Sequence, residues 1–391
     1  MTGFRRVLFR SALAAMARSP RLGLAALSAV AMGVIVCQSG LVSLLQAAGL
    51  AGWGFLTAMG LAALLMAANA AAFAELALMM PRAGGLGAYC EAALGPWAAV
   101  VAVFAGYVVP ALFGPAAELL LVGQVVADLG GPHIPPLAWA VGLLGVLLGL
   151  NLRGTDVFAR VQTGLTFVVL LALVGLAAWA WGGAAQSGQP PWRALGQVAA
   201  PVPVSSVLAL VLYALIGIEF VTPLAPDAAH PRRDLPRAMF LGLATVVLVT
   251  TLCGVGAVAL LGPAGLNAAA LPHWALARAA FGPAAQAVFA LLAVVATASL
   301  LNAVLGAVPR LLQGLAEQGL VMPVLGRLNR HGVPWVATCG VAALPLLGLV
   351  WAGGDVGRIL PLLVAAASAW LLAYMLAHAA LLALRWRAPQ A

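Results

Sequence analysis

Two carboxylates lie inside long apolar stretches of this 391-residue sequence, and they are the first candidates for chemistry. Glu219 follows a glycine-containing run in one stretch, and Glu118 lies near Pro115 in another. Ionisable side chains inside a membrane are costly, so they are functional candidates by default. A helix N-terminus favours the ionised form of Glu219 and burial favours the protonated form, so this residue is a candidate to load and release a proton. The alternative is a structural carboxylate that accepts backbone N–H groups.

Glu118 has other candidate partners. It can pair with a cationic substrate, which would make it a binding residue. It can also pair with an internal donor, such as Gln124 or a hydroxyl group. Both interpretations stay open on the sequence.

The first apolar stretch contains polar residues and glycine at mid-depth, in residues 32–40. A helix that breaks inside a membrane leaves backbone groups that must find partners. The half-helix after such a break would direct the N–H groups of Ser39, Gly40 and Leu41 at an anionic group such as a carboxylate. The alternative is that Ser39 and Gly40 only allow helices to pack closely.

A second apolar stretch is interrupted in the same way, in residues 213–223, which contain Gly217, Glu219 and Pro223. Carbonyl groups freed between residues 213 and 217 would accept hydrogen bonds from an ammonium group. Together, the two breaks predict a receptor for a small zwitterion.

The remaining polar residues carry weaker signals. Glu75 and Arg82 lie two helical turns apart and are expected to form a gate or a structural pair. Asn69, Gln162 and Asn302 are expected to hold helices together. The cysteines and histidines are scattered without metal or redox spacing, so no metal site and no cofactor are expected.

The composition indicates whether the segments that carry these residues lie in water or in a membrane. The sequence is 64% apolar and 7% charged, whereas soluble domains have about one quarter charged residues. Blocks of about 20 apolar residues can cross a bilayer as helices. Hydropathy predicts an all-α membrane protein with ten spans, at 25–48, 53–79, 94–127, 136–152, 157–182, 204–225, 237–262, 280–307, 334–352 and 358–384. The third is long and contains two prolines, so we expect a kink, a tilt or an interfacial turn there.

The basic residues orient these spans. All 19 are arginine, and with a cytoplasmic N-terminus only Arg193, Arg278 and Arg358 lie outside. Both termini are therefore expected in the cytoplasm, with the protein in the cytoplasmic (inner) membrane. The net charge of +9 is explained by topology and by contact with anionic membrane lipid, and no nucleic acid partner is expected.

The predicted organisation is one transmembrane domain. Residues 1–24 form a cytoplasmic amphipathic segment rather than a signal peptide, residues 25–385 form the domain, and residues 386–391 form a cytoplasmic tail. Because each half has five spans, at about 25–182 and 204–385, the halves would be inverted repeats whose first helices, the first and sixth spans, are discontinuous.

The sequence resembles the amino acid/polyamine/organocation permeases, which have the leucine-transporter-like five-plus-five fold. The resemblance covers about residues 25–385. It is carried by Ser39-Gly40 in the first span, by Ala74-Glu75-Leu76 with residues 81–85, by residues 216–219 with 230–238, and by Leu301-Asn302-Ala303 with residues 317–320 and 331–334.

The resemblance implies a secondary active transporter of amino acids or related small amines that works by alternating access. It also implies that Glu219 takes part in proton or substrate gating and that Tyr213 closes over the ligand, with Tyr107 in a similar role. For Tyr213, packing in the protein core is the alternative. The candidate substrate-binding residues are Gln38, Ser39, Gly40, Leu41, Tyr213, Ala214, Ile216, Gly217, Glu118 and Tyr107, and the coupling or gating residues are Glu219 and Glu75.

Three departures from the family pattern matter. Gln38 stands where the family usually has glycine, so it either fills part of the carboxylate pocket or supplies an amide ligand. A lysine that replaces a sodium ion in some members is absent, and an apolar residue near Val169 stands there. We also expect ten spans where the family usually has twelve.

Other functions remain as alternatives. A polyamine or organic-amine exchanger or exporter would use the same fold, with a proton as a candidate coupling ion. An intramembrane enzyme needs a catalytic cluster and a channel needs charge rings or a filter motif, and the sequence contains neither pattern. Oligomeric state is not indicated.

Overall fold

A computed structural model describes residues 22–80, 84–130, 135–186, 188, 190–269, 271–353 and 356–387. Within these ranges the chain forms fourteen α-helices and no β-strand. In chain order they are α1 (Leu24–Gly33), α2 (Gln38–Ala51), α3 (Trp53–Met79), α4 (Gly85–Leu94), α5 (Pro96–Val103), α6 (Val109–Gly130), α7 (Pro136–Asn151), α8 (Thr155–Gln186), α9 (Val204–Tyr213), α10 (Pro231–Ala268), α11 (Pro272–Phe281), α12 (Ala285–Glu317), α13 (Trp335–Ala352) and α14 (Val356–Arg387).

The helices agree with the spans expected from hydropathy. Eight helical stretches of the described chain are long and apolar enough to cross a membrane, and the bent pair of α1 and α2 makes a ninth. The shorter apolar helix α7 lies where the fourth span is predicted. The architecture is therefore consistent with ten spans, while the inverted repeat and the domain boundaries stay predictions.

Helix α12 lies at the centre of the bundle. In the most apolar 18-residue segment of α12, 72% is buried within the protein, whereas the corresponding share for α8 is 33%. Helix α8 exposes large apolar side chains, including Phe167 at 65% and Leu171 at 60%. In a bilayer these side chains face hydrocarbon, so α8 lies at the lipid boundary and α12 in the interior.

The third predicted span is interrupted, as expected from its length and prolines. A π-helical turn at Phe104–Val108 joins α5 to α6, and Pro115 lies inside α6. Pro110 follows the turn and has no N–H group, so it cannot complete the α-helical hydrogen bond to residue 106. The π turn carries Tyr107 and directs its side chain into the bundle, where it is buried.

Buried amides join three of the spans. Asn302 of α12 accepts a hydrogen bond from the Asn151 amide of α7 at 2.8 Å and donates to Gln162 of α8 at 2.8 Å. Gln162 and Asn302 therefore hold helices together, as expected. Asn69 is also buried, but its amide has no hydrogen-bond partner among the described residues.

Some sequence predictions concern parts of the chain outside the described ranges. These parts include residues 1–21, Arg82 and residues 388–391. The amphipathic N-terminal segment, the pairing of Arg82 and the cytoplasmic tail stay predictions.

The packing of α12 against α8 can be tested at Gly306. A Cβ atom added there would lie 2.2 Å from the ring of Phe158, which is buried. We expect Gly306→Ala to lower stability by about 1–3 kcal/mol, because a well-packed ring must move. The measurement is the thermal melting of the protein in detergent, followed by size-exclusion chromatography.

Gly340→Ala on α13 is the matched control. A Cβ atom at Gly340 meets nothing within 4 Å, so this variant should melt like the parent protein. Equal melting temperatures for both variants would contradict the packing of α12 against α8.

Candidate functional site

The first break separates α1 from α2, whose axes differ by 65°. Residues 34–37 are not helical, so the first N–H groups of α2 lack carbonyl partners one turn earlier. Glu118 of α6 fills this position. Its Oε1 accepts from the Ser39 N–H at 2.8 Å, and its Oε2 accepts from the Gln38 N–H at 3.2 Å. The N-terminal end of α2 is thus bound by a carboxylate of the protein itself.

Two side chains complete the shell around Glu118. The Gln38 amide donates to Thr297 Oγ1 at 3.0 Å and contacts Glu118 Oε2 at 3.5 Å. The Thr297 hydroxyl donates to the same Oε2 at 3.3 Å. Glu118 and Thr297 are fully buried. Of the two alternatives for Glu118, this conformation has the internal pairing, while the side chain of Gln124 lies outside the described residues.

The backbone groups expected to receive a substrate carboxylate have other partners. The Ser39 N–H donates to Glu118 at 2.8 Å, and the Leu41 N–H donates to the Cys37 carbonyl at 3.1 Å. In this conformation both N–H groups make hydrogen bonds within the protein, and the carboxylate site expected there stays a prediction.

The second break lies between α9, which ends at Tyr213, and a 3₁₀ helix at Ile218–Asp227. Gly217 has a φ of 121°, and a Cβ atom there would lie 2.7 Å from Val34 of the first break. Only glycine allows both this conformation and this close approach. The two breaks therefore pack directly against each other.

A side-chain contact also joins the breaks. The hydroxyl oxygens of Tyr213 and Ser39 lie 3.0 Å apart. The Tyr213 carbonyl, one of those expected to be free, accepts from the Ile216 N–H at 3.4 Å. The structure brings Tyr213 to the first break, and its role in closing over a ligand stays a prediction.

Glu219 lies in the first turn of the 3₁₀ helix and is fully buried. Its carboxylate is held by α14: the Tyr374 hydroxyl donates to Oε2 at 2.7 Å, and the Trp370 indole donates to Oε1 at 3.1 Å. The sequence analysis missed both aromatic residues. Their spacing of four residues places them on one helix face, but hydropathy does not show which face meets the sixth span.

Tyr107 belongs to the surroundings of Glu219. Its ring centroid lies 5.1 Å from that of Phe220 and 6.5 Å from that of Trp370. Its hydroxyl is buried without a hydrogen-bond partner among the described residues. Tyr107 and Glu219 therefore form one cluster, separate from the shell of Glu118.

A small cavity of about 80 Å³ lies against the first break. It has room for several water molecules, since one water needs roughly 10–15 Å³ on this measure. Of the predicted binding residues, Gln38, Gly40, Leu41 and Ala214 line it, and the others do not. Its described lining residues are Ile35, Val36, Cys37, Gln38, Gly40, Leu41, Val169, Ala172, Leu173, Leu176, Ala214, Thr250, His273, Ala277, Phe281, Phe289, Leu292, Ala293 and Ala296.

His273 is a cavity residue that the sequence analysis did not select. It is the second residue of the short helix α11, outside the candidate membrane spans, and its side chain is 4% exposed. Its Nδ1 has no hydrogen-bond partner among the described residues, and its ring packs edge-on against Phe289 with centroids 4.9 Å apart. Burial lowers the pKa of His273 to about 4, so the imidazole is uncharged at neutral pH. A single histidine without neighbouring ligand residues gives no sequence pattern that would mark it as functional. Only the fold places His273 at the cavity.

The fifth span meets the first through Thr166 and Gln162. Thr166 donates to the Ala29 carbonyl at 3.0 Å, and Gln162 donates to Ser299 Oγ at 2.9 Å. Ser299 in turn donates to the Gly33 carbonyl at 3.3 Å. Val169 lies near the place where some family members have a lysine, and its side chain lines the cavity.

Ion pairs close the end of the bundle expected in the cytoplasm. Arg310 of α12 pairs with Asp227 after the second break at 3.3 Å and donates to Thr155 of α8 at 2.7 Å. Glu75 pairs with Arg385 of α14, which ties the second span to the tenth. The structure thus gives Glu75 a pairing contact with a cation that the sequence analysis did not consider.

A family profile described as amino acid permease matches residues 22–391. Uncharacterized transporters of Mycobacterium tuberculosis and Mycobacterium bovis are 28% identical over 285 residues, which is 70% of this chain. The match spans 63% of the length of these relatives.

Solved transporters have a similar fold. Mhp1, a nucleobase-cation-symport-1 family transporter with bromovinylhydantoin bound, gives a TM-score of 0.60 at 16% identity over 90% of this chain and 76% of its own. MhsT in complex with L-phenylalanine gives a TM-score of 0.60 at 16% identity, and the match covers 93% of this chain and 96% of MhsT. A Na+-coupled sialic acid symporter gives a TM-score of 0.62 at 12% identity, and the match covers 86% of this chain and 76% of the symporter. The predicted leucine-transporter-like fold is confirmed.

The carboxylate of Glu219 provides a stability test. We expect Tyr374→Phe to destabilise the protein by about 1–3 kcal/mol, because it removes a donor from a buried carboxylate. Tyr89→Phe is the matched control, since the buried Tyr89 hydroxyl has no partner within the described ranges and its loss should cost little. Thermal melting in detergent compares the two, and a Tyr374→Phe protein as stable as Tyr89→Phe would contradict the assigned hydrogen bond.

Proposed function

The chain belongs to the amino acid permease family, and on this premise we propose that it is a secondary active transporter of amino acids or related small amines that works by alternating access. The observation that carries the proposal is the direct contact between the two broken helices, with a small cavity against the first. Breaks of this kind place substrate sites near the bilayer midplane in transporters. The proposed location is the cytoplasmic membrane, with both termini inside.

The proposed movement is of the first two spans of each half against the remaining spans. Beside extensive apolar packing, ion pairs join these two groups at the end of the bundle expected in the cytoplasm. The Arg310–Asp227 pair is one of them, since Arg310 lies on the eighth span and Asp227 after the sixth. Its separation would open the cytoplasmic side.

Glu219 is the proposed coupling residue. Its ionised form accepts hydrogen bonds from Tyr374 and Trp370, so it ties the second break to the tenth span. Charge-assisted hydrogen bonds are roughly twice as strong as neutral ones, so protonation would weaken this tie. Loading a proton on Glu219 would then favour movement of the sixth span.

Transport is tested with purified protein in liposomes. A panel of amino acids and small amines is supplied with and without an imposed proton gradient, and both uptake and exchange against internal substrate are measured. We expect accumulation of at least one panel member to increase when the outside is made acidic. Exchange without net accumulation would favour the exchanger alternative, and no transport of any member would contradict the substrate class.

The coupling role predicts a specific defect for Glu219→Gln. We expect this variant to keep substrate exchange but to lose the dependence of accumulation on the proton gradient, because glutamine cannot load a proton. The control is Glu317→Gln at the exposed end of α12, which should retain that dependence. Full gradient-driven accumulation by Glu219→Gln would rule out the coupling role.

A further inference from the structure

Glu118 occupies the position that an anionic part of a substrate would need. The N-terminal end of a helix has the equivalent of about half a positive charge, and a full carboxylate already binds it here. Each Glu118 oxygen accepts from one of the first two N–H groups of α2, Oε1 from Ser39 at 2.8 Å and Oε2 from Gln38 at 3.2 Å. A second carboxylate at the same place would meet the charge of Glu118 at close range, which is unfavourable.

The cavity beside this end offers no cationic side chain among its described lining residues. Its polar lining comes chiefly from Gln38, Thr250 and His273. The Gln38 amide already donates to Thr297 and contacts Glu118, and the Thr250 hydroxyl donates to the Val246 carbonyl at 2.7 Å. A carboxylate in this cavity would meet no cation among the described lining residues, and the neutral ring of His273 cannot balance its charge, so such burial is strongly unfavourable.

An amine would meet better partners. The Nδ1 of His273 is buried and has no hydrogen-bond partner in the described part of the chain, so in the tautomer with the proton on Nε2 it can accept from an N–H group. The imidazole is uncharged at neutral pH, so it does not repel an ammonium group. The carboxylate of Glu118, one contact behind Gln38, adds a negative field at the cavity wall. The apolar remainder of the lining suits an apolar body.

We infer that the cargo is a small monoamine with an apolar body and no carboxylate, and that Glu118 is the residue that excludes amino acids. This inference rests on the proposed transport function and narrows its substrate class. Glu118 would determine specificity by occupying the anion site itself, and His273 would contact the amino group.

Matched pairs of compounds test the inference on the intact protein. Phenethylamine is compared with phenylalanine, and 3-methylbutylamine with leucine, in binding and in liposome uptake. We expect each amine to bind at least roughly tenfold more tightly than its parent amino acid, a difference of about 1.4 kcal/mol. Tighter binding and transport of the amino acids would overturn the inference and leave the proposed transport function intact. Transport of neither class would overturn both.

Glu118→Ala tests the occupied anion site independently of transport. The variant should melt at a lower temperature than the parent, and acetate should restore part of the loss by binding the freed N–H groups of Gln38 and Ser39. The control Glu317→Ala removes an exposed carboxylate and should show no effect of acetate. Chloride at equal ionic strength separates a specific effect of the carboxylate from a salt effect.

Glu118→Gln covers the case in which the alanine variant does not fold. It keeps the shape of the side chain and removes its charge, so the preference for amine over amino acid should fall severalfold. The preference for amines should also fall in His273→Leu and be partly restored in His273→Gln, which retains a hydrogen-bond acceptor. An unchanged preference in Glu118→Gln would overturn the assignment of Glu118 as the specificity residue.

Discussion

The binding of Glu118 to the N-terminal end of α2 is the interaction on which the site depends. A helix broken inside a membrane leaves N–H groups that lipid cannot satisfy. Here the protein satisfies them with a buried carboxylate from the third span, 2.8 Å from the Ser39 N–H. The N–H groups of Gln38 and Ser39 at this break are therefore paired with a side chain of the protein itself, and this pairing is the basis of the proposed preference for amines.

The second break is stabilised by a different carboxylate and from a different direction. Glu219 faces α14, where Tyr374 and Trp370 hold its two oxygens. The two acids thus have separate surroundings: Glu118 is bound mainly by backbone and amide groups, and Glu219 by aromatic donors. This separation suits a division in which one acid determines selectivity and the other responds to protons.

Neutral polar groups add hydrogen bonds to the apolar packing between the first span and the rest of the bundle. Thr166 and Ser299 reach the carbonyls of Ala29 and Gly33, and Gln162 links to Ser299 and Asn302. Interhelical hydrogen bonds of this kind contribute roughly 0.6 kcal/mol on average in membrane proteins. Bonds of that size hold an orientation without preventing movement, which is what alternating access requires of this interface.

The sequence by itself determined the membrane class, the positions of the spans and the two breaks, because these depend on local hydropathy and on local glycine, proline and polar residues. It also marked Glu118 and Glu219 as buried acids, since a carboxylate in an apolar stretch is visible without a fold. Only the tertiary structure decided which groups these acids meet. Gln38 and Glu118 are 80 residues apart, and Glu219 and Tyr374 are 155 apart. No periodicity in one segment encodes such contacts, and they arise from how the helices pack around α12. For the same reason, His273 became a site residue only when α11 was seen to cover the cavity.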